Sequence, residues 1–83
     1  MAKADYLAQA FGRVLRDRRL AAGLSQEKLA LEAGIDRTFV SLLERGGRQP
    51  TLSTLWRLAD ALALMPSDLV RGVEKAQKTA GRR

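Results

Sequence analysis

The chain has 83 residues, 46% of them hydrophobic, enough for one small packed domain and too few for an enzyme-sized cleft. It has no histidine and no cysteine, which removes the commonest general base, the usual metal ligands, the strongest nucleophile and any disulfide. Fifteen Lys/Arg against nine Asp/Glu leave a net charge of +6, a balance that attracts polyanions, nucleic acid first among them.

In chain order, Met1–Ala10 contains an acid and no apolar stretch of signal length, so it does not read as a secretory leader. Asp5 is placed to cap a first helix that runs to about Ala22, with Leu7, Phe11, Val14 and Leu15 recurring at three- and four-residue steps. Gly23 follows where a left-handed terminal residue is wanted. Ser25 caps a second helix over Gln26–Ala33, and Asp36 has the residue type and place to cap a third over Arg37–Glu44. The stretch Arg45–Thr51, "RGGRQPT", is a loop. Thr51 caps a fourth helix whose apolar face is traced by Leu52, Leu55, Leu58, Ala59 and Leu62, with Trp56 also expected to pack there. Pro66 suits the first position of a short fifth helix carrying Leu69 and Val70. After Gly72 the pattern fades, which predicts a domain over residues 1–71 and a basic, flexible tail over 72–83. From Arg71 onward five cations face only Glu74, a net +4 that leaves +2 on the body. No strand pattern is visible, so the expected fold class is all-α: a compact bundle of five helices. No apolar run approaches the roughly 20 residues of a membrane span, and a soluble cytoplasmic protein is expected.

The second and third helices raise the first functional question. Helices of eight residues are marginal alone, because nucleation costs more than a turn or two of hydrogen bonding returns. Only Gly34, Ile35 and Asp36 join them. A connection this short forces a steep crossing of about 90–120°. Close approach then needs a small residue, Ala30; a left-handed turn residue, Gly34; and apolar inner faces, supplied by Leu29, Ala33, Ile35, Val40 and Leu43.

These residues resemble the lambda-repressor-like (Cro-type) helix-turn-helix family. Its motif Gln–x–x–Leu–Ala–x–x–x–Gly–Ile/Val is matched by Gln26, Leu29, Ala30, Gly34 and Ile35. Its later part, a β-branched residue and then Leu–Glu–Arg/Asn–Gly, is matched by Val40, Leu43, Glu44, Arg45 and Gly46. Downstream, Pro50, Thr51, Leu52, Leu55, Leu58, Ala59, Ala61 and Leu62 match as well. The resemblance spans Phe11 to Val70. Within it, "GIDRTFVSLLERG" looks closest to the small controller proteins of restriction–modification systems.

What the resemblance implies is a sequence-specific transcriptional regulator, either a restriction–modification controller or a phage-type repressor, with its third helix in the major groove of DNA. Arg37, Thr38, Ser41 and Leu42 on that helix's solvent face become the base-contacting candidates. Arginine can pair with guanine O6 and N7, while threonine, serine and leucine suit base edges or a thymine methyl. Ser25 and Gln26 open the second helix, whose free N–H groups suit a phosphate oxygen, and the family's equivalent glutamine grips the DNA backbone. Arg45, Arg48, Gln49 and Thr51 occupy the loop and next helix start, where relatives again contact phosphate. Arg19 and Glu44 are implied as a structural pair linking helix one to the end of helix three. Arg18 departs from the leucine or isoleucine common in the family, which bears on how the first helix packs.

Family members pair through their C-terminal helices, with recognition helices about 34 Å apart, one DNA turn. A homodimer on an inverted-repeat operator is therefore expected, with Leu64, Met65 and Leu69 at the interface. RNA polymerase is a further partner that such regulators can touch, and a nucleoid-associated location follows from the DNA partner. No cofactor, metal or small-molecule ligand is expected. The competing reading is an antitoxin-like protein-interaction module on the same fold. Catalysis is disfavoured because Asp5, Asp17, Asp60 and Asp68 form no acid/base or metal spacing. RNA binding is disfavoured because Tyr6 and Phe39 are isolated, leaving no aromatic stacking platform.

Overall fold

The computed structural model describes residues 3–81, with side chains described for 6–77. The described residues form five helices: α1 Lys3–Ala21, α2 Gln26–Ala33, α3 Arg37–Glu44, α4 Leu52–Ala61 and α5 Pro66–Gly81. No strand occurs among the described residues. The boundaries follow local chemistry. The Ser25 hydroxyl accepts the Lys28 N–H at 3.0 Å and starts α2, and the Thr51 hydroxyl accepts the Thr54 N–H at 3.1 Å and starts α4. Gly23 and Gly34 take φ of 74° and 73°, the left-handed conformation that lets α1 and α2 stop abruptly. Ala63 takes φ 58° in the turn between α4 and α5, at a cost of about 1–2 kcal/mol for a residue with a Cβ.

Two starts differ from expectation. Helix α1 begins at Lys3, so Asp5 sits inside the first turn and is not its cap. Asp36 does hold the N-cap position of α3, but its side chain makes no capping hydrogen bond.

Phe11 and Leu15 of α1, Leu29, Ala30 and Ala33 of α2, Val40 and Leu43 of α3, Leu55, Leu58 and Ala59 of α4, then Leu62 and Leu69 form one buried cluster. Each fully buried leucine contributes about 1.5–3 kcal/mol of transfer free energy. Helix α1 lies against α5 and α3, α2 against α3 and α4, and α4 against α5. The contact of α1 with α3 is unusually close. A Cβ built on Gly12 would stand 2.5 Å from the Leu43 carbonyl oxygen and 2.6 Å from that of Glu44. Only glycine lets the two backbones meet there.

The C-terminal third differs from the expected short fifth helix. Helix α5 does not stop near Gly72 but continues to Gly81, so the basic stretch is helical through that residue. The last two residues of the expected tail, 82 and 83, lie outside the described residues. Gly72 is a packing glycine: a Cβ there would meet Val14 Cγ1 at 2.9 Å, and Val73 packs on the core just beyond it. Leu69 is also corrected. It is 0% exposed, inside the monomer's own core, and so cannot supply a dimer surface. On α4, Leu52 and Trp56 point away from the core and are 70% and 56% exposed. They do not belong to the buried face made by Leu55, Leu58 and Ala59. Arg18 is exposed, and a polar residue suits that position.

Candidate nucleic-acid interface

Helix α3 is strongly two-sided. Val40 and Leu43 are completely buried, and they hold the helix against α2 and α1 through the apolar cluster. Arg37 and Thr38 stand exposed at its N-terminal end, with Ser41 and Leu42 half-buried one turn later. Arg37 occupies the first turn, where the positive end of the helix dipole opposes a cation. It is therefore not placed to stabilise the helix. Leu42 is partly committed: its Cδ2 lies 3.3 Å from where a Cβ on Gly47 would be, so it packs over that bare glycine. The Arg45 Nε donates to the Ser41 carbonyl at 3.4 Å, folding the guanidinium back along α3.

The elements flanking α3 carry the remaining candidates. Ser25 is exposed and Gln26 half-buried at the start of α2; Arg45, Arg48, Gln49 and Thr51 are all exposed in and after the loop. Ser25 uses its oxygen as a cap and keeps its O–H proton. The Thr51 hydroxyl is more engaged, since it donates to Thr54 Oγ1 at 3.0 Å as well as accepting the Thr54 N–H. From α4, Arg57 Nη1 reaches the Gly34 carbonyl at 3.3 Å and braces the turn between α2 and α3.

Beneath this surface lies an ion pair. Arg19 Nε donates to Glu44 Oε2 at 2.6 Å and Nη2 to Oε1 at 3.1 Å, while Nη1 reaches the Leu24 carbonyl at 2.9 Å. The two side chains are 10% and 4% exposed. The hydrogen bond that Arg19 donates to Glu44 raises the Arg19 pKa above its ordinary value, burial opposes this, and the Glu44 charge adds to the rise. The Gln26 Nε2 donates to Glu44 Oε1 at 3.0 Å, so three elements converge on one carboxylate. Sequence reasoning paired Arg19 with Glu44 but missed this third partner, as well as Gly12 and Arg57. An isolated glycine within a helical pattern signals a close approach; the other two are contacts across the fold with no local signature. Among the described residues no group of acidic side chains comes together as a metal site.

The family model for the helix-turn-helix matches residues 15–69. The chain belongs to the helix-turn-helix family. Control protein C.BamHI of Bacillus amyloliquefaciens is 41% identical over 61 residues, which cover 72% of this chain and 75% of that protein. The crystal structure of the restriction–modification controller protein C.AhdI from Aeromonas hydrophila superposes with a TM-score of 0.73 at 45% identity, covering 75% of this chain and 94% of that one. The controller protein C.Esp1396I, solved as a tetramer with its natural 35-base-pair operator, superposes at 0.79 with 28% identity over 87% of this chain and 95% of its own. The expected kinship with restriction–modification controllers thus holds at the level of sequence and of fold. The family is one of DNA-binding regulators and not of enzymes. No helix among the described residues is long and apolar enough to cross a membrane.

Proposed function

We propose that this chain is a sequence-specific DNA-binding transcriptional regulator of the restriction–modification controller type, acting as a homodimer on an inverted-repeat operator. The observation that carries the reading is the division of α3. Val40 and Leu43 anchor one face with no exposure, and the other presents Arg37 and Thr38 to solvent in an order suited to base edges. Ser41 and the outer part of Leu42 extend that surface. Ser25 and Gln26 on one side, with Arg45, Arg48, Gln49 and Thr51 on the other, grip phosphates and set the register. The operator complex of C.Esp1396I supports such a partner.

Dimerisation relies on Met65, which is 66% exposed, on the half-buried Leu64, and on the outward Leu52 and Trp56 of α4. Contact with RNA polymerase and work on chromosomal DNA in the cytoplasm complete the reading.

The test is selection of bound sequences from a randomised duplex pool at about 150 mM salt, comparing wild type with Arg37→Ala. The expected result is an inverted repeat for the wild type. The variant loses roughly 1–3 kcal/mol and relaxes its preference at one symmetric pair of bases. Failure of any motif to emerge, with both proteins binding alike and steeply dependent on salt, refutes sequence-specific reading.

A further inference from the structure

We propose that Glu44 is a positioning residue for DNA binding, acting through Gln26. The inference rests on the reading of Gln26 as a phosphate clamp. The Gln26 amide has two N–H donors and one carbonyl acceptor, and one of those donors is held by Glu44 Oε1 at 3.0 Å. The opposite orientation of the amide would set its carbonyl oxygen against a carboxylate, acceptor against acceptor. Glu44 therefore selects the orientation that turns the second N–H toward solvent, and a phosphate, which accepts only, requires an N–H.

The selector is itself fixed. Arg19 grips both oxygens of Glu44 and also the Leu24 carbonyl, one residue before the Ser25 cap. The end of α1, the entry to α2 and the end of α3 are thus tied at one point, and Gln26 is the member that reaches outward. A side chain ordered before binding loses less freedom on contact. The ion pair does more than close a buried charge: it prepares the clamp.

The test is a double-variant cycle with Gln26→Ala, Glu44→Asp and both together. Aspartate keeps the charge for Arg19 but draws the carboxylate back by one methylene, away from Gln26. Binding is read on a fluorescent duplex of arbitrary sequence, about two helical turns long, across a range of salt, after thermal unfolding confirms that each variant is folded. Glu44→Asp is expected to weaken binding about three- to tenfold, and to have no further effect in the Gln26→Ala background. The slope of log affinity against log salt stays unchanged throughout, because a neutral amide releases no counterion. If the two losses add, or if folded Glu44→Asp binds like wild type, Glu44 does not position the clamp. If Gln26→Ala alone binds like wild type, the clamp reading falls, and the positioning role with it. A second measurement needs no variant at Glu44. In the free wild-type protein the Gln26 amide proton held by Glu44 is expected to be shifted and slow to exchange with water, while the other exchanges fast and moves on adding the duplex. Free-amide shifts and equally fast exchange for both protons would overturn the proposal.

Discussion

Replacing Gly12 with alanine perturbs the fold at its tightest point. The added Cβ would lie 2.5, 2.6 and 2.9 Å from the Leu43 oxygen, the Glu44 oxygen and the Glu44 carbonyl carbon. All three are backbone atoms, so no side-chain rotation relieves the clash. Helices α1 and α3 must part by roughly 1 Å, and a gap of that size forfeits a quarter to a half of each dispersion contact across it. Overpacking of this kind costs about 1–3 kcal/mol, here toward the upper end. Alanine returns about 1 kcal/mol through its better helix propensity. The net loss is about 1–2 kcal/mol, which lowers the melting temperature of a domain this size by roughly 5–15 °C. Urea and thermal unfolding followed by far-UV circular dichroism measure both quantities. Total stability scales to several kcal/mol for a chain of this length, so the variant still folds. A midpoint equal to or above that of wild type would refute the close-approach argument, because propensity alone predicts a gain.

Two further outcomes are expected. Trp56 is the chain's one tryptophan and is 56% exposed, so dilute protein should emit as a solvated indole and be readily quenched by acrylamide. Emission should move to the blue as concentration rises through the dimerisation range measured by sedimentation; an unchanged spectrum places the interface elsewhere. Folding stability should also be nearly flat between about pH 6 and 9, since histidine and cysteine, the side chains whose ordinary values fall in that window, are absent. The raised Arg19 pKa gives the same sign. Its stabilisation is full below the unfolded value and is lost only as pH climbs through the folded one, in strong alkali. A stability maximum inside the neutral window, seen in melting temperature against pH, would contradict this.

The helix-turn-helix was readable because its constraints are local. Ser25, Gly34 and the spacing of Leu29, Ala30, Val40 and Leu43 act within a few residues of each other, and the bounds of α2 and α3 fell where they were expected. The C-terminal third was not, because its constraints are distant. Gly72 looks the same whether it ends a helix or admits Val14 from α1, and only the fold decides between them. Leu69 likewise fits either a monomer core or a partner's surface by type alone. Proximity to the chain end suggested the partner; burial assigns the core. Trp56 was misplaced because an apolar residue between Leu55 and Leu58 looks internal, although the helical turn carries it to the outer face with Leu52. In the candidate interface the exposed face of α3, with Arg37 and Thr38, was legible and its support was not. The Gln26–Glu44 bond spans 18 residues and that of Arg57 to Gly34 spans 23, and neither leaves a periodic trace.

The two-sidedness of α3 has an evolutionary corollary. Arg37 and Thr38 touch nothing that the core requires, and surface changes away from packed features usually alter stability by no more than about 0.5 kcal/mol. If Arg37 and Thr38 read bases as proposed, operator preference can drift almost without folding cost, and duplicated copies in one cell can become insulated from each other through a pair of substitutions. Leu42 sets the boundary of that freedom. Because it leans on Gly47, any change there reshapes the loop as well as the outer face of α3, and the second turn of the helix is bound to evolve more slowly than the first.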